Sequence, residues 1–359
     1  MTAHALLPTL HDIEAAAQVV YREFGPTPQY RWGQLSSLLG ATCWVKHENH
    51  TPVGAFKIRG GLTYFDQLAQ RGAMPAEVVG ATRGNHGQSV GWAARAHGVP
   101  CTIVVPHGNS VEKNAAMRAL GVTLIEHGTD FQESREFAIQ LAQDRGAHMV
   151  PSFHPDLLRG VATYWWELLK AAPELDVIYV PIGQGSGACS AVAAKRALSH
   201  RARIVGVVSA HATTYADSLA AGRVVESPVT TVLADGMACR KADQAALDIL
   251  QGQSDHIVQV SDTEVAQAMR DLFAFQMLGD VFKIASWLIS LIMVVKSMTV
   301  LLVATDLIFS LSFLVLVSMF VGWFGLVGDG YDRLAIGQGE SRVRNNVAWL
   351  ATTVPQGKV

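Results

Sequence analysis

A lysine that begins a predicted helix is a candidate nucleophile of this chain. Lys57 follows a loop of glycine and proline, residues 51–56, and precedes an apolar helical pattern over residues 58–71. The positive end of a helix dipole disfavours an ammonium group, and burial lowers a lysine pKa further. The resulting neutral amine can form a Schiff base with a carbonyl group. A lone lysine is more often a solvated charge, so the surrounding residues have to support this assignment.

A glycine-flanked turn, residues 81–87 with the sequence ATRGNHG, links a predicted strand to a predicted helix. The free N–H groups at the start of a helix suit an anionic ligand such as a carboxylate. An ordinary strand-to-helix turn with Asn85 in a left-handed conformation would have the same appearance. The residue types alone leave both interpretations open.

A second glycine-rich turn, residues 180–188 with the sequence VPIGQGSGA, lies between an apolar strand and a helix. Glycines let backbone N–H groups converge on one anion, and the helix dipole favours a phosphate there. The Gly-x-Gly-x-Gly pattern is not specific by itself, because nucleotide sites and plain turns share it. It indicates a phosphate cradle only in combination with the other two segments.

Short apolar runs alternate with helical patterns through most of the chain. This order predicts an α/β fold in which helical crossovers join parallel strands. The predicted strands cover residues 42–46, 77–81, 101–105, 123–126, 148–151, 177–181 and 204–209. The predicted helices cover residues 11–24, 58–71, 87–97, 111–120, 131–145, 161–170, 188–200 and 265–274.

The three segments, in this order and spacing, resemble the serine/threonine dehydratase family of pyridoxal-phosphate (PLP) enzymes of fold-type II, in the tryptophan synthase β-like superfamily. Residues 46–61 are similar to the segment that carries the cofactor lysine, and residues 81–87 to the family's Ser-Ser-Gly-Asn-His loop. The resemblance covers residues 10–274. It implies two open parallel-sheet lobes, with the smaller lobe, residues 50–150, nested in the larger one and the cofactor in the cleft.

The resemblance also implies roles for individual residues. Lys57 becomes the Schiff-base lysine and the base that moves the substrate proton. The other implied cofactor-binding residues are Phe56, Asn85 (on the ring hydroxyl), and Gly183, Gln184, Gly185, Ser186 and Gly187 (on the phosphate). The implied substrate-binding residues are Thr82, Arg83, Gly84 and His86. Gln184 and Ser186 interrupt the family's run of glycines, so the phosphate site requires that the N–H groups still converge.

The implied activity is β-elimination from a small hydroxy amino acid, with L-threonine or L-serine as the expected substrate and a 2-oxo acid and ammonia as products. Serine racemases of this family have a serine where this chain has Arg83, so racemisation is disfavoured. The arginine either pairs with an acidic substrate such as 3-hydroxyaspartate or points to solvent. Another fold-type II elimination or replacement lyase is the alternative enzyme, although Thr-Arg-Gly-Asn-His favours a dehydratase. The resemblance also implies a homodimer.

The resemblance ends near residue 274, where the composition changes. Residues 275–328 are strongly apolar, and Leu307–Val327 has no charged residue over a length that spans a bilayer. With Ile284–Ala304 this stretch predicts a membrane hairpin over residues 281–328, followed by a tail, residues 329–359. We find no equivalent of the family's terminal Ser-Gly-Gly-Asn segment, so a membrane-tethered, catalytically impaired PLP domain is the second alternative.

The overall composition argues against several other classes of protein. A net charge of −2 and a pI of about 6.7, without a basic stripe, exclude nucleic-acid binding. The four cysteines lie far apart and show no metal-ligand spacing, so we expect reduced thiols and no metal. The first 18 residues lack the pattern of a signal peptide, which predicts a cytoplasmic catalytic region.

Overall fold

The computed structural model describes residues 3–273 and 350–352. Of these, residues 3–266 and 350–352 belong to one compact unit, and a second unit begins at Gln267. The described part of the second unit is helical. The first unit contains two sheets and the candidate site.

Helices contain more residues of the first unit than strands do. Short 3-10 helices lie at Ala3–Leu6, Glu48–His50 and Asp235–Met237. The α-helices between residues 10 and 250 are α1 (Leu10–Val20), α2 (Gly33–Leu39), α3 (Lys57–Gln70), α4 (Asn85–Ala96), α5 (Val111–Ala119), α6 (Phe131–Arg145), α7 (Pro155–Ala171), α8 (Ser186–Ala197), α9 (Thr214–Ala221) and α10 (Gln244–Leu250).

The strands form a four-stranded and a six-stranded sheet. The strands are β1 (Gln29–Arg31), β2 (Cys43–Lys46), β3 (Val78–Ala81), β4 (Cys101–Val105), β5 (Thr123–Glu126), β6 (His148–Met149), β7 (Val177–Pro181), β8 (Arg203–Ser209), β9 (His256–Val260) and β10 (Leu350–Thr352). The four-stranded sheet has the order β5-β4-β3-β6 and is parallel throughout. The six-stranded sheet has the order β1-β2-β10-β7-β8-β9.

The two central strands of the four-stranded sheet, β3 and β4, are buried on both faces, which explains their apolar sequences. Val78 packs into one core cluster with Ile103 and Met117, while the next residue, Val79, packs into a second cluster on the other face. Strands covered on both faces read as continuous apolar runs. This lobe, which we call the small lobe, spans β3 to β6.

The six-stranded sheet packs against a larger core built mainly from α7 and α8. The largest buried side chain there is Trp165, which lies with Leu168, Ile178 and Ile204 in one cluster. We call this part, with its sheet, the large lobe. The carboxyl ends of β3 and β7 each lead directly into a helix, α4 and α8, as ligand-binding loops of open α/β sheets do.

The prediction of parallel sheets holds for the small lobe and for β7 to β9, but the rest of the large sheet is antiparallel. β1 runs antiparallel to β2, and β10 runs antiparallel to both β2 and β7. Thr352 is paired with Val177, so the end of β10 lies beside the start of β7. The large sheet is therefore mixed.

Several helix starts differ from the prediction. α7 begins at Pro155 rather than at residue 161, because the His154 side chain accepts a hydrogen bond from the Asp156 N–H (3.1 Å) and proline suits the first helical position. α4 and α8 each begin two residues earlier than predicted, at Asn85 and Ser186. Residues of the two glycine-rich motifs therefore lie within the first helical turns.

The predicted membrane hairpin, residues 281–328, and the tail, residues 329–359 apart from β10, lie outside the described residues. Within the described ranges, no helix has the length and apolar character needed to cross a membrane. The four cysteines are all buried, and none forms a disulfide within the part of the chain that the structure describes.

Candidate active site

Lys57 lies at the first position of α3 and contacts both glycine-rich segments. Its Nζ donates a hydrogen bond to Oγ of Ser186 (2.8 Å), at the start of α8. Its carbonyl oxygen accepts a hydrogen bond from Oγ of Ser89 (2.5 Å), in α4. The residue keeps partial exposure, but protein atoms enclose the amine, and this burial lowers the pKa of Lys57 to about 8. A substantial fraction of the amine is therefore neutral near pH 8.

The β7–α8 loop, residues 182–185, offers backbone N–H groups to a ligand. Gly185 has a φ of +88°, which favours glycine, and no side chain caps the N-terminus of α8. A Cβ on Gly183 would lie 2.3 Å from the carbonyl oxygen of Gly236, so only glycine fits there. Free N–H groups in a glycine turn at a helix start suit a phosphate.

Gln184, which interrupts the family's run of glycines, is turned toward a thiol. Its Nε2 donates a hydrogen bond to Sγ of Cys239 (3.0 Å). Burial raises the pKa of the Cys239 thiol to about 12, so the sulfur stays uncharged. The amide is thereby held by a partner within the protein, and the backbone of the loop supplies the groups that could meet a ligand.

Aromatic side chains line the same loop. Phe56 packs edge-on against Tyr164 with 5.8 Å between the ring centroids. A Cβ on Gly187 would lie 3.7 Å from Cζ of Phe56. The indole N–H of Trp165 donates to the carbonyl oxygen of Gly187 (3.0 Å). The first turn of α8 is thus fixed from the large-lobe core.

The β3–α4 loop, residues 82–84, opens the other helix. Oγ1 of the buried Thr82 accepts a hydrogen bond from the Gly84 N–H (2.9 Å). Gly84 has a φ of +152°, and a Cβ on it would lie 2.4 Å from Cδ of Lys113. Gly84 is also the N-cap residue of α4 and has no side chain that could cap the helix. The start of α4 is therefore a second place where an anion can meet free N–H groups.

Three buried polar atoms beside this loop have no hydrogen-bond partner within the described residues. They are Oδ1 of Asn85, Nε2 of His86 and Nε of Arg83. Burial and the nearby Lys57 charge lower the pKa of His86 to about 3, so the imidazole is neutral near pH 7. Buried polar groups normally have partners, which marks these atoms as places for ligand contacts.

A buried ionic cluster lies two residues beyond Lys57, and the sequence analysis did not identify it. The Arg59 guanidinium pairs with Glu48 (2.8 and 2.9 Å) and with Glu167 (2.6 Å), and Lys46 also pairs with Glu167. The cluster contains two cations and two carboxylates. Burial raises the pKa of Glu167, but its cationic partners outweigh that effect, so the pKa lies below its usual value. The cluster joins β2, α3 and α7 and anchors the start of α3.

The structure brings together Lys57, Phe56 and the first turns of α4 and α8. A lysine with a lowered pKa, a glycine turn for a phosphate and a buried Asn85 oxygen without a partner in the described residues fit the aldehyde, phosphate and ring hydroxyl of PLP.

Comparisons with known proteins agree with this fit. Residues 20–279 match the model of the family described as pyridoxal-phosphate dependent enzyme. The L-threonine ammonia-lyase of Geobacter sulfurreducens is 35% identical over 236 residues, which are 66% of this chain and 58% of that protein. The L-threo-3-hydroxyaspartate ammonia-lyase of Saccharomyces cerevisiae is 30% identical, with 74% of this chain and 82% of that protein covered.

The solved structure of processed threonine deaminase isoform 2 from Solanum lycopersicum superposes with a TM-score of 0.68 at 26% identity, covering 74% of this chain and 77% of that one. The chain spans about half the length of the biosynthetic threonine dehydratases it matches. The family match covers more than half of the chain. The chain therefore belongs to the family of pyridoxal-phosphate-dependent enzymes.

Proposed function

We propose that this chain is an ammonia-lyase that deaminates a small hydroxy amino acid, such as L-threonine or L-serine, by β-elimination. The observation that carries the proposal is the position of Lys57, whose amine meets Ser186 at the start of α8 while its backbone meets Ser89 in α4. The names of the relatives, L-threonine and L-threo-3-hydroxyaspartate ammonia-lyases, support the reaction class.

We assign the cofactor site to Lys57, Phe56, Asn85 and residues 183–187. The uncapped start of α8 would hold the phosphate through its N–H groups, and Phe56 would pack beside it. Asn85, whose Oδ1 has no partner in the described residues, would contact the ring hydroxyl. When bound, PLP supplies the electron sink that stabilises negative charge at the substrate Cα.

Lys57 is the proposed base in this reaction. Burial lowers its pKa to about 8, so its Nζ can accept the α-proton of the substrate near neutral pH and return it afterwards. The hydroxyl of Ser186 accepts a hydrogen bond from this Nζ and holds it toward the cleft. The buried ionic cluster around Arg59 fixes the helix that presents the lysine.

The proposed substrate site is the start of α4, with Thr82, Arg83, Gly84 and His86. The free N–H groups there would receive the substrate carboxylate, and neutral His86 would add a hydrogen bond without adding charge. An arginine stays protonated in proteins and cannot remove a proton, so Arg83 does not supply the second base that racemisation needs. Elimination is therefore the favoured outcome at this site.

The test is the product stoichiometry of the purified full chain, reconstituted with PLP and given L-threonine, L-serine or 3-hydroxyaspartate. We expect equal amounts of ammonia and 2-oxo acid from at least one of them, and none from Lys57→Ala. A protein that binds PLP but releases no ammonia from any of the three would contradict the proposal. The alternative replacement lyase would instead transfer the substrate's carbon skeleton to an added thiol without forming a 2-oxo acid.

A homodimer is part of the same proposal, because it accompanies this activity in the family that the sequence resembles. Light scattering of the purified protein measures it directly. The cytoplasmic location of the catalytic region, the membrane hairpin and the division at residues 274 and 328 stay predictions.

A further inference from the structure

One segment of the large lobe crosses from the β7–α8 loop to the small lobe. Residues 234–240, which we call the strap, include the short 3-10 helix Asp235–Met237. The strap contacts the small lobe through two side chains, and the β7–α8 loop through one backbone carbonyl and a third side chain. These contacts place it over the cleft between α4 and α8.

The first contact is a nearly buried ion pair. Nζ of Lys113, in α5 of the small lobe, lies 2.6 Å from Oδ2 of Asp235, and the two side chains are 8% and 19% exposed. The stem of Lys113 lies over Gly84, since a Cβ on that glycine would be 2.4 Å from Cδ. The pair therefore covers the β3–α4 loop from outside. An ion pair with so little exposure is screened less by salt than a surface pair.

The same strap rests on the other glycine loop. The carbonyl oxygen of Gly236 is the atom that a Cβ on Gly183 would meet at 2.3 Å, and Sγ of Cys239 accepts the hydrogen bond from Gln184. Adjacent strap residues, Asp235 and Gly236, thus contact opposite sides of the cleft. Movement of the strap would separate it from both loops together.

A second ion pair joins the far end of the strap to the small lobe. Nε of Arg240 lies 2.8 Å from Oδ2 of Asp130, the residue that caps α6, without the geometry of a hydrogen bond. Both side chains are about one third exposed (37% and 27%), so this pair is the weaker of the two.

Both ends of the strap are fixed within the large lobe. Before it, the Asp262 carboxylate accepts hydrogen bonds from the Thr231 hydroxyl (2.6 Å) and the Val232 N–H (2.9 Å). After it, Lys241 pairs with Glu226 (3.2 Å). The flanks of the strap are thus held by the large lobe, and Asp235 near its start carries the more buried of the two contacts with the small lobe.

We propose that the strap closes the mouth of the cofactor cleft and that the Lys113–Asp235 ion pair is the latch that holds it closed. Breaking the latch leaves the strap tied to the small lobe by the weaker Arg240–Asp130 pair, and PLP then leaves the cleft faster. The inference rests on cofactor binding, which family membership establishes, and not on the proposed reaction. The release rate therefore tests it even if the chain deaminates nothing.

The experiment measures PLP release from the holoprotein in excess deoxypyridoxine phosphate, a PLP analogue without the aldehyde, which blocks rebinding. Loss of the absorbance of Lys57-bound PLP gives the rate. We expect Asp235→Asn and Lys113→Met to release PLP about tenfold faster, because truncating one partner of a buried pair mainly raises dissociation rates. The charge-swapped double variant, Lys113→Asp with Asp235→Lys, should return toward the wild-type rate.

The matched control is Lys241→Met, which breaks the Glu226–Lys241 pair at the strap's end without touching the small lobe. It should release PLP at the wild-type rate. Wild-type rates in both single latch variants would overturn the proposal. Fast release in the single variants without recovery in the charge swap would also overturn it, because the effect would then not come from the ion pair.

Hydrogen exchange of the Asp235→Asn holoprotein separates opening of the strap from general loss of structure. Faster exchange confined to peptides that cover residues 234–240 supports the latch. An equal acceleration in α8, whose first turn is fixed by the large-lobe core, means global destabilisation and overturns it.

Discussion

The two glycine loops of the candidate site use the same structural device but differ in their side chains. Each follows a buried parallel strand, turns at a glycine with positive φ (Gly84, +152°; Gly185, +88°) and enters a helix that no side chain caps. The β7–α8 loop presents backbone groups, because Gln184 is bonded to Cys239. The segment beginning at Thr82 adds a hydroxyl, a guanidinium and an imidazole.

This difference suits two kinds of anion. A cofactor phosphate stays bound and has one shape, so convergent N–H groups suffice. A substrate must be distinguished and exchanged, and in the proposed assignment the His86 side chain, whose buried Nε2 has no hydrogen-bond partner within the described residues, would supply that discrimination. Lys57 contacts the helices that follow both loops, since its amine is bonded to Ser186 of α8 and its carbonyl oxygen to Ser89 of α4.

The largest expected effect comes from removing the Lys57 side chain. Lys57→Ala deletes the amine that we propose as the cofactor-bearing group and the base, so we expect activity to fall by at least about a thousandfold. Ammonia release under saturating substrate measures it. The temperature of thermal unfolding should change little, since the deleted amine has a hydrogen bond to Ser186 but no carboxylate partner among the described residues.

Gly183→Ala should disrupt the β7–α8 loop alone. The added Cβ would meet the Gly236 carbonyl at 2.3 Å, so the loop must move, and we expect PLP affinity to fall by about tenfold or more. Equilibrium titration of the apoprotein with PLP measures the affinity. Gly236→Ala is the matched control, because its Cβ would meet no atom within 4 Å. Equal losses in both variants would show that the steric argument is wrong.

Cofactor capture should depend on pH through Lys57. Its pKa lies at about 8 in the folded protein and at 10.5 when unperturbed. The fraction of the amine in its reactive neutral form therefore increases as the pH rises through about 8. We expect stopped-flow capture to be about tenfold slower at pH 7 than on the plateau above pH 9. Burial of this lysine also makes the apoprotein more stable as pH rises from 8 toward 10.5, because the unfolded chain then binds the extra proton.

The smallest of these effects should follow Ser186→Ala. The variant loses the hydrogen bond that orients Nζ of Lys57 but keeps the backbone N–H groups of α8. We therefore expect kcat to fall by about threefold to tenfold with little change in PLP affinity. The control is Ser190→Ala, which lies on the same helix as Ser186 and removes a hydrogen bond to the carbonyl oxygen of Leu158 in α7. A large loss of PLP affinity in Ser186→Ala would show that the hydroxyl itself binds the phosphate.

The small lobe could be predicted almost strand by strand from the sequence. β4 has the predicted bounds because a strand buried on both faces leaves a continuous apolar run, and β5 has them although both of its end residues are exposed. The missed β1 is three residues long and mostly exposed, so it leaves no such pattern. β9 and β10 were also missed, since their pairing depends on distant segments and not on local sequence.

The candidate site shows the same division between local and distant information. Lys57 and both glycine loops are local motifs, and each was predicted from a few neighbouring residues. The Arg59–Glu167 and Lys113–Asp235 pairs join residues 108 and 122 positions apart, and no local pattern marks such partners. Arg59 belonged to a recognised motif, yet its partner could only be identified in the fold.

The absorbance spectrum of the purified PLP-reconstituted protein, measured beside Lys57→Ala and followed by borohydride reduction and peptide mapping, tests the central claim most directly. We expect a yellow band in the wild type, its absence in the variant, and a reduced PLP adduct on the peptide that contains Lys57. A wild-type protein without the band, or an adduct on another lysine, would contradict the assignment of the cofactor cleft.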